Sequence, residues 1–169
     1  MNRHVLLIGM MGAGKTTVGE TVAARLGWTY RDSDADVVAA TGRTVPELFV
    51  AEGEAAFRAA ESDVLAQACA AEQPSVISVA GGAVLAQANR DLLAASGTVV
   101  WLRARPETLA ARVGDGAGRP LLDGDAAATL TRLNAERAPL YAALADLTID
   151  VDELSVDQVA SAIVTVAAA

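Results

Sequence analysis

One segment restricts what this chain can fold into more than any other: Gly9-Met10-Met11-Gly12-Ala13-Gly14-Lys15-Thr16. Its spacing is G-x-x-x-x-G-K-[ST], in which glycines let the backbone curl until successive N–H groups face one point. His4 to Ile8 precedes it, a short apolar run of β character ending at Gly9. Lys15 to Leu26 follows it, a helical pattern stopped by Gly27. A strand, a tight loop and a helix N-terminus in that order form a cradle for phosphate. Lys15 is the only lysine among 169 residues; the chain otherwise uses arginine. A compact, mobile ammonium suits a polyphosphate, a role distinct from the bidentate grip of a guanidinium. Gly12, Ala13, Gly14, Lys15, Thr16 and Thr17 are therefore the expected phosphate-binding residues. Lys15 would reach the β- and γ-phosphates, and Thr16 would ligate Mg²⁺.

The rest of the chain alternates in the same way. Strands are expected at Thr29–Asp34, Ser75–Gly82, Thr98–Ala104 and Leu147–Val151. Helices are expected at Asp34–Thr41, at Thr44–Glu72 as two pieces meeting near Gly53, and at Gln87–Ser96. Further helices are expected at Pro106–Val113, Ala126–Ala145 and Ser155–Ala169. Near-continuous apolar strands alternating with helices predict an α/β fold with a parallel sheet covered on both faces. In such sheets ligands bind beyond the carboxyl ends of the strands. Those ends carry Gly9, Asp32, Gly81 and Arg103.

Composition narrows the function. The length suits one domain spanning residues 1–169. No run reaches the roughly 18 apolar residues of a membrane span, and the start shows no signal-peptide pattern. Cys69, the only cysteine, cannot close an internal disulfide, which suits a cytoplasmic protein. A net charge of −8 argues against nucleic acid or an anionic membrane as partner. An anionic ligand must then be held by local arginines. GTPases read guanine through Asn-Lys-x-Asp, which a chain whose one lysine lies in the phosphate loop cannot contain. A motor or helicase would be larger and would carry an apolar strand ending in aspartate; here Ser75–Val79 runs into Ala80-Gly81-Gly82. A small-molecule kinase remains. Asp32 and Asp34 end the second strand, close in space to the phosphate loop by the parallel-sheet geometry. One could serve Mg²⁺ and the other a substrate hydroxyl, with Asp34 as a possible helix N-cap.

The next motifs carry a resemblance. They are Asp32-Ser33-Asp34, Thr41 to Phe49, Gly53-Glu54-Ala55-Ala56-Phe57-Arg58 with Glu61, Gly81-Gly82, Arg119-Pro120-Leu121-Leu122 and Arg137-Ala138-Pro139-Leu140-Tyr141. Over essentially its whole length the chain resembles the shikimate kinases, and the block from Thr41 to Glu61 is the most specific part. The resemblance implies a P-loop kinase three-layer sandwich with a five-stranded parallel sheet. It also implies a substrate-binding region at about 33–61 and a lid at about 113–124. It implies that ATP, with Mg²⁺, phosphorylates the 3-hydroxyl of shikimate in a cytoplasmic monomer. Asp34 would bind ring hydroxyls and act as the base. Arg58 and Arg137 would hold the carboxylate, and Gly81 and Gly82 would offer N–H groups. Asp32 would join Thr16 at the metal. Arg119, in the lid, would reach the phosphates and Arg112 would lie against adenine.

Physical chemistry supports these roles without the family. A carboxylate substrate calls for guanidinium forks, and Phe57 could wall a ring. The spacing of Glu54, Arg58 and Glu61 also suits a surface ion-pair ladder, and a gluconate or cyclitol kinase would equally want an arginine. The family's usual three glycines read Ala80-Gly81-Gly82 here. Alanine is easily accommodated in β geometry, so φ < 0 is expected at Ala80, with glycine needed only where the chain leaves the sheet.

Overall fold

A computed structural model describes residues 4–114 and 125–169. Five strands form one sheet: β1 (His4–Ile8), β2 (Thr29–Asp32), β3 (Ser75–Ser78), β4 (Gly97–Arg103) and β5 (Leu147–Asp150). Their order is β2-β3-β1-β4-β5, and every neighbouring pair is parallel. Successive residues of a strand face opposite sides of the sheet. Val5, Leu6, Leu7 and Ile8 are all at most 1% exposed, so both faces over β1 are covered. That coverage explains the unbroken apolar run.

The described helices are α1 (Lys15–Leu26), α2 (Ser33–Thr41), α3 (Val45–Cys69), α4 (Gln87–Ser96), α5 (Pro106–Val113), α6 (Ala126–Leu144) and α7 (Val156–Ala167). Among these α1 packs on α7, α3 on α4 and α5 on α6. None of the described helices is long and apolar enough to cross a membrane. The α/β class and the strand count agree with the sequence reading.

Helix ends follow local chemistry. Thr44 and Glu47 form a capping box at the start of α3, with a proline in its first turn. Gly53 (φ 86°, ψ 176°) breaks α3 where the sequence placed a junction between two helices. Two expectations need correction. Asp34 is not the N-cap of α2 and does not lie on extended chain. Asp32 is the cap, its Oδ1 accepting from the N–H groups of Asp34 (2.9 Å) and Ala35 (3.2 Å), so Asp34 already sits in the first helical turn. β3 ends at Ser78, and a three-residue 3₁₀ turn at Ala83–Leu85 follows the glycines. A turn that short leaves no periodicity to read.

The main core gathers around β1, β3 and β4. A second small cluster of Val37, Leu48, Phe57 and Val64 joins α2 to both halves of α3. It supports the segment between Ser33 and Glu61 independently of the sheet.

His4 of β1 lies opposite Gly97 of β4. A methyl group at Gly97 would overlap the His4 backbone, although the extended φ of 172° would itself suit any residue. Gly97→Ala should therefore cost about 1–3 kcal/mol or more through overpacking. A thermal melt should show a midpoint several degrees lower.

Candidate active site

The carboxyl ends of β1, β2 and β3 open into one cleft of about 630 Å³. Two chemistries meet in it: a phosphate loop at one end and an arginine pair at the other.

The loop from Gly9 to Gly14 turns because its glycines take positive φ. Gly14, at φ 95°, is the N-cap of α1 and supplies no side-chain cap. The first N–H groups of α1 thus have no capping side chain, as an anion site requires. Gly9 is needed for a second reason: a Cβ there would lie 2.6 Å from the Leu102 carbonyl oxygen. Lys15 Nζ donates to the carbonyls of Gly9 (2.6 Å) and Met10 (3.1 Å), which holds the ammonium across the loop. Gly12, Gly14, Thr16 and Thr17 line the cleft with it. Ala13 does not: its side chain is buried and its N–H closes a turn onto Met10 O at 3.1 Å. Arg112 reaches over the loop, donating to the carbonyls of Gly12 and Ala13 at 3.3 Å each.

Asp32 divides its two oxygens between two tasks. While Oδ1 caps α2, Oδ2 accepts from Thr16 Oγ1 at 3.4 Å and from the Tyr30 hydroxyl at 3.4 Å. A hydroxyl and a carboxylate side by side beneath a phosphate loop are hard oxygen donors. That set suits Mg²⁺, which takes one or two protein ligands and completes its shell with phosphate and water. No cluster of three acidic, histidine or cysteine side chains able to hold a metal exists among the described residues. The fit therefore relies on bound phosphate.

At the other end, Arg58 bridges two carboxylates, Glu61 at 2.9 Å and Glu54 at 3.5 Å. The ladder read from the sequence exists, but it is not a surface feature. Glu61 is 1% exposed and Arg58 lines the cleft. Burial pushes the Glu61 carboxyl up from its ordinary range, against the opposing pull of Arg58. Arg137 is 2% exposed, and its Nε and Nη1 have no hydrogen-bond partner. No carboxylate among the described residues forms an ion pair with it. A buried guanidinium with two unsatisfied nitrogens is costly unless a ligand supplies the missing acceptors, even with the Tyr141 hydroxyl and the Glu61 carboxyl facing it. Phe57 and Phe49 stack at 5.0 Å and line the cleft with Val45 and Pro46 as an apolar wall.

Between the two ends runs Ala80-Gly81-Gly82. Ala80 has φ < 0, as expected. The role of the glycines differs from expectation. Gly82 has φ −88° and Gly81 is not in the left-handed region, so neither is needed for a sharp turn. They are needed for approach. A Cβ at Gly82 would overlap the Arg58 guanidinium, and one at Gly81 would lie 3.2 Å from Arg137 Nη1.

Thus Lys15, Thr16, Asp32, Asp34, Phe57, Arg58, Gly81, Gly82, Arg112 and Arg137 face one cleft. Arg119 and most of the lid fall outside the described residues. Sequence reasoning gave no role to Ser33, Ser78 or Tyr141. Ser78 Oγ donates to the Lys15 carbonyl at 3.0 Å, which ties β3 to the start of α1. Tyr141 was visible as the last residue of Arg137-Ala138-Pro139-Leu140-Tyr141, one helical turn beyond Arg137.

Fold and cleft together define a P-loop phosphotransferase with a second, arginine-lined subsite for a small organic acid. A profile of the shikimate kinases matches residues 11–168. A shikimate kinase of Symbiobacterium thermophilum is 45% identical over 163 residues, 95% of this chain and 93% of that one. The structure of the Acinetobacter baumannii shikimate kinase in complex with shikimate superposes with a TM-score of 0.94. It is 35% identical and covers 98% of this chain and 93% of that one. A gluconokinase of Sinorhizobium meliloti, with a TM-score of 0.59 and 20% identity over 98% of this chain and 91% of that one, shares the fold. The chain belongs to the shikimate kinase family.

The Glu61 carboxyl has a consequence for stability. Its folded pKa lies above the ordinary 4.5, so between these values the folded state keeps a proton that the unfolded chain releases. Its contribution is full below about pH 4.5 and declines as pH rises through the folded value. Glu61→Gln cannot ionise. The stability of the wild type minus that of Glu61→Gln should therefore fall with rising pH, measured by urea unfolding at pH 4.5 and pH 7.

Proposed function

We propose that this enzyme transfers the γ-phosphoryl group of ATP to the 3-hydroxyl of shikimate through the residues of this cleft. The observation that carries the reading is Arg137: a buried guanidinium with two unpaired nitrogens beside the Gly81-Gly82 strap, in the same cleft as Lys15. It calls for a carboxylate at a site that also takes a triphosphate.

The residues divide the work. The loop N–H groups and the α1 N-terminus hold the phosphates, and Lys15 meets the β- and γ-oxygens. Thr16 and Asp32 would hold Mg²⁺, which would offset phosphate charge. Arg112 flanks the nucleotide. Arg58 and Arg137 grip the substrate carboxylate, each by charge-assisted hydrogen bonds. That grip, with the N–H groups of Gly81 and Gly82, sets the ring between the phosphate loop and the aromatic wall. Asp34, in the first turn of α2, faces the ring hydroxyls. It accepts the 3-hydroxyl proton as that oxygen attacks the γ-phosphorus and the bond from phosphorus to the β,γ-bridging oxygen breaks, releasing ADP. Arg119 supports charge on the transferred group. Catalysis here is positioning plus electrostatics. The wall of Val45, Pro46, Phe49 and Phe57 favours a ring with an apolar face over an open-chain polyol acid such as gluconate. We assign the enzyme to the cytoplasm as a monomer, on the family resemblance.

Purified protein with Mg-ATP should consume ATP with shikimate and not with gluconate; the reverse preference would overturn the substrate assignment. Lys15→Ala should abolish transfer while circular dichroism remains that of the wild type.

Arg137→Met separates binding from stability. The KM for shikimate should rise about 30-fold or more, the equivalent of losing ~2–5 kcal/mol of desolvated ion pairing. The KM for ATP should stay within about threefold, less than ~0.7 kcal/mol. The empty variant should melt no lower than the wild type, because the substitution removes a buried charge with two unsatisfied nitrogens.

A further inference from the structure

Two hydroxyl groups that touch no ligand in the reading above hold the strap that does. The Ala80 N–H donates to Ser33 Oγ at 2.8 Å, and the Tyr141 hydroxyl donates to the Gly81 carbonyl at 2.6 Å. The remaining carbonyls are held by backbone: Ala80 O accepts from Ala83 N at 3.0 Å and Gly82 O from Leu85 N at 3.1 Å. In a trans peptide the C=O and the following N–H point in opposite directions, and no peptide here is cis. Fixing the Ala80 and Gly81 carbonyls therefore aims the Gly81 and Gly82 N–H groups the other way. Neither N–H donates to a group among the described residues, and both glycines line the cleft.

We infer that Tyr141 is a positioning residue. Its hydroxyl fixes the Gly81–Gly82 peptide, while Ser33 anchors the Val79–Ala80 peptide at the strap's entrance and Ala83 N–H holds Ala80 O, so that two successive N–H groups are preset toward the substrate. This rests on the proposed seating of shikimate against Gly81 and Gly82. Glycine makes the clamp necessary. A Cβ at 82 would push the Arg58 guanidinium aside and one at 81 would crowd Arg137, and two glycines in a row leave the peptide planes freer to rotate. Side chains from α2 and α6 supply the restraint the strap lacks. Tyr141 is well placed to act as a fixed anchor, since it is fully buried and its ring packs 5.6 Å from that of Trp101. Burial also pushes its hydroxyl up to about 12, so it remains a donor throughout the working range of pH.

Tyr141→Phe keeps the ring and removes the hydroxyl. Its KM for shikimate should rise by about tenfold, with the KM for ATP within about twofold. A purely structural role would lower the melting temperature and leave both values per folded molecule unchanged. That result, or an equal rise in both, overturns the clamp. A second measurement needs no substrate. In protein labelled with ¹⁵N-glycine, the Gly81 and Gly82 amides of the empty variant should exchange faster with solvent and shift from their wild-type positions. Unchanged amides overturn the clamp. Ser33→Ala should give the same KM split and the same amide changes, and it carries both measurements if Tyr141→Phe does not fold. Wild-type enzyme without shikimate-dependent ATP turnover would instead remove the substrate reading, leaving the amide comparison to decide the clamp.

Discussion

The parallel pairing of β1 with β3 is the contact on which the cleft depends. Leu7 lies opposite Ser78, so the two chains leave the sheet side by side. One becomes the phosphate loop and the other the glycine strap. Beyond the last paired residues the two remain joined, by Val79 N to Leu7 O at 2.9 Å and by Ser78 Oγ to Lys15 O at 3.0 Å. A site for phosphoryl transfer needs donor and acceptor within reach and aligned. Here that distance is set by the spacing of neighbouring strands, about 4.8 Å, and not by any flexible connection. β2, on the other side of β3, adds Asp32 to the same edge.

The acid subsite obeys a different constraint. An acidic chain must concentrate positive charge where solvent screens it least. It does so with two arginines of unlike status. Arg58 is held by Glu54 and Glu61 before any ligand arrives, whereas Arg137 is buried without a matching carboxylate. Arg58 is thus oriented in advance, while Arg137 carries a desolvation cost at two unsatisfied nitrogens.

Much of this was legible in the sequence, for identifiable reasons. The phosphate loop announces itself because its geometry demands glycines and a lysine at fixed offsets. The helix break at Gly53 and the stops at Gly27 and Gly42 were legible because glycine is the residue that best tolerates those angles. Arg58 was ambiguous by spacing alone, since an i, i+4 ladder looks the same on a surface and at the mouth of a cleft. Only the burial of Glu61 decides it. Asp32 and Asp34 were assigned to one strand because a cap and a strand end look alike in sequence. The capping bonds put them on opposite sides of a helix start. Ser33 and Tyr141 were missed because their partners are backbone groups 47 and 60 residues away. Such a bond leaves no pattern in the chain.

The single lysine has a practical outcome at the bench. A protease that cleaves only after lysine meets one susceptible bond in this chain, Lys15–Thr16, at the start of α1 with the ammonium tied to the Gly9 and Met10 carbonyls. Cutting there requires the first turn of α1 to unwind. When opening and closing outpace cleavage, digestion rate follows the population of that open state. The chain thus carries a built-in gauge of how firmly its phosphate loop is closed, readable as one cut without labels or mutations.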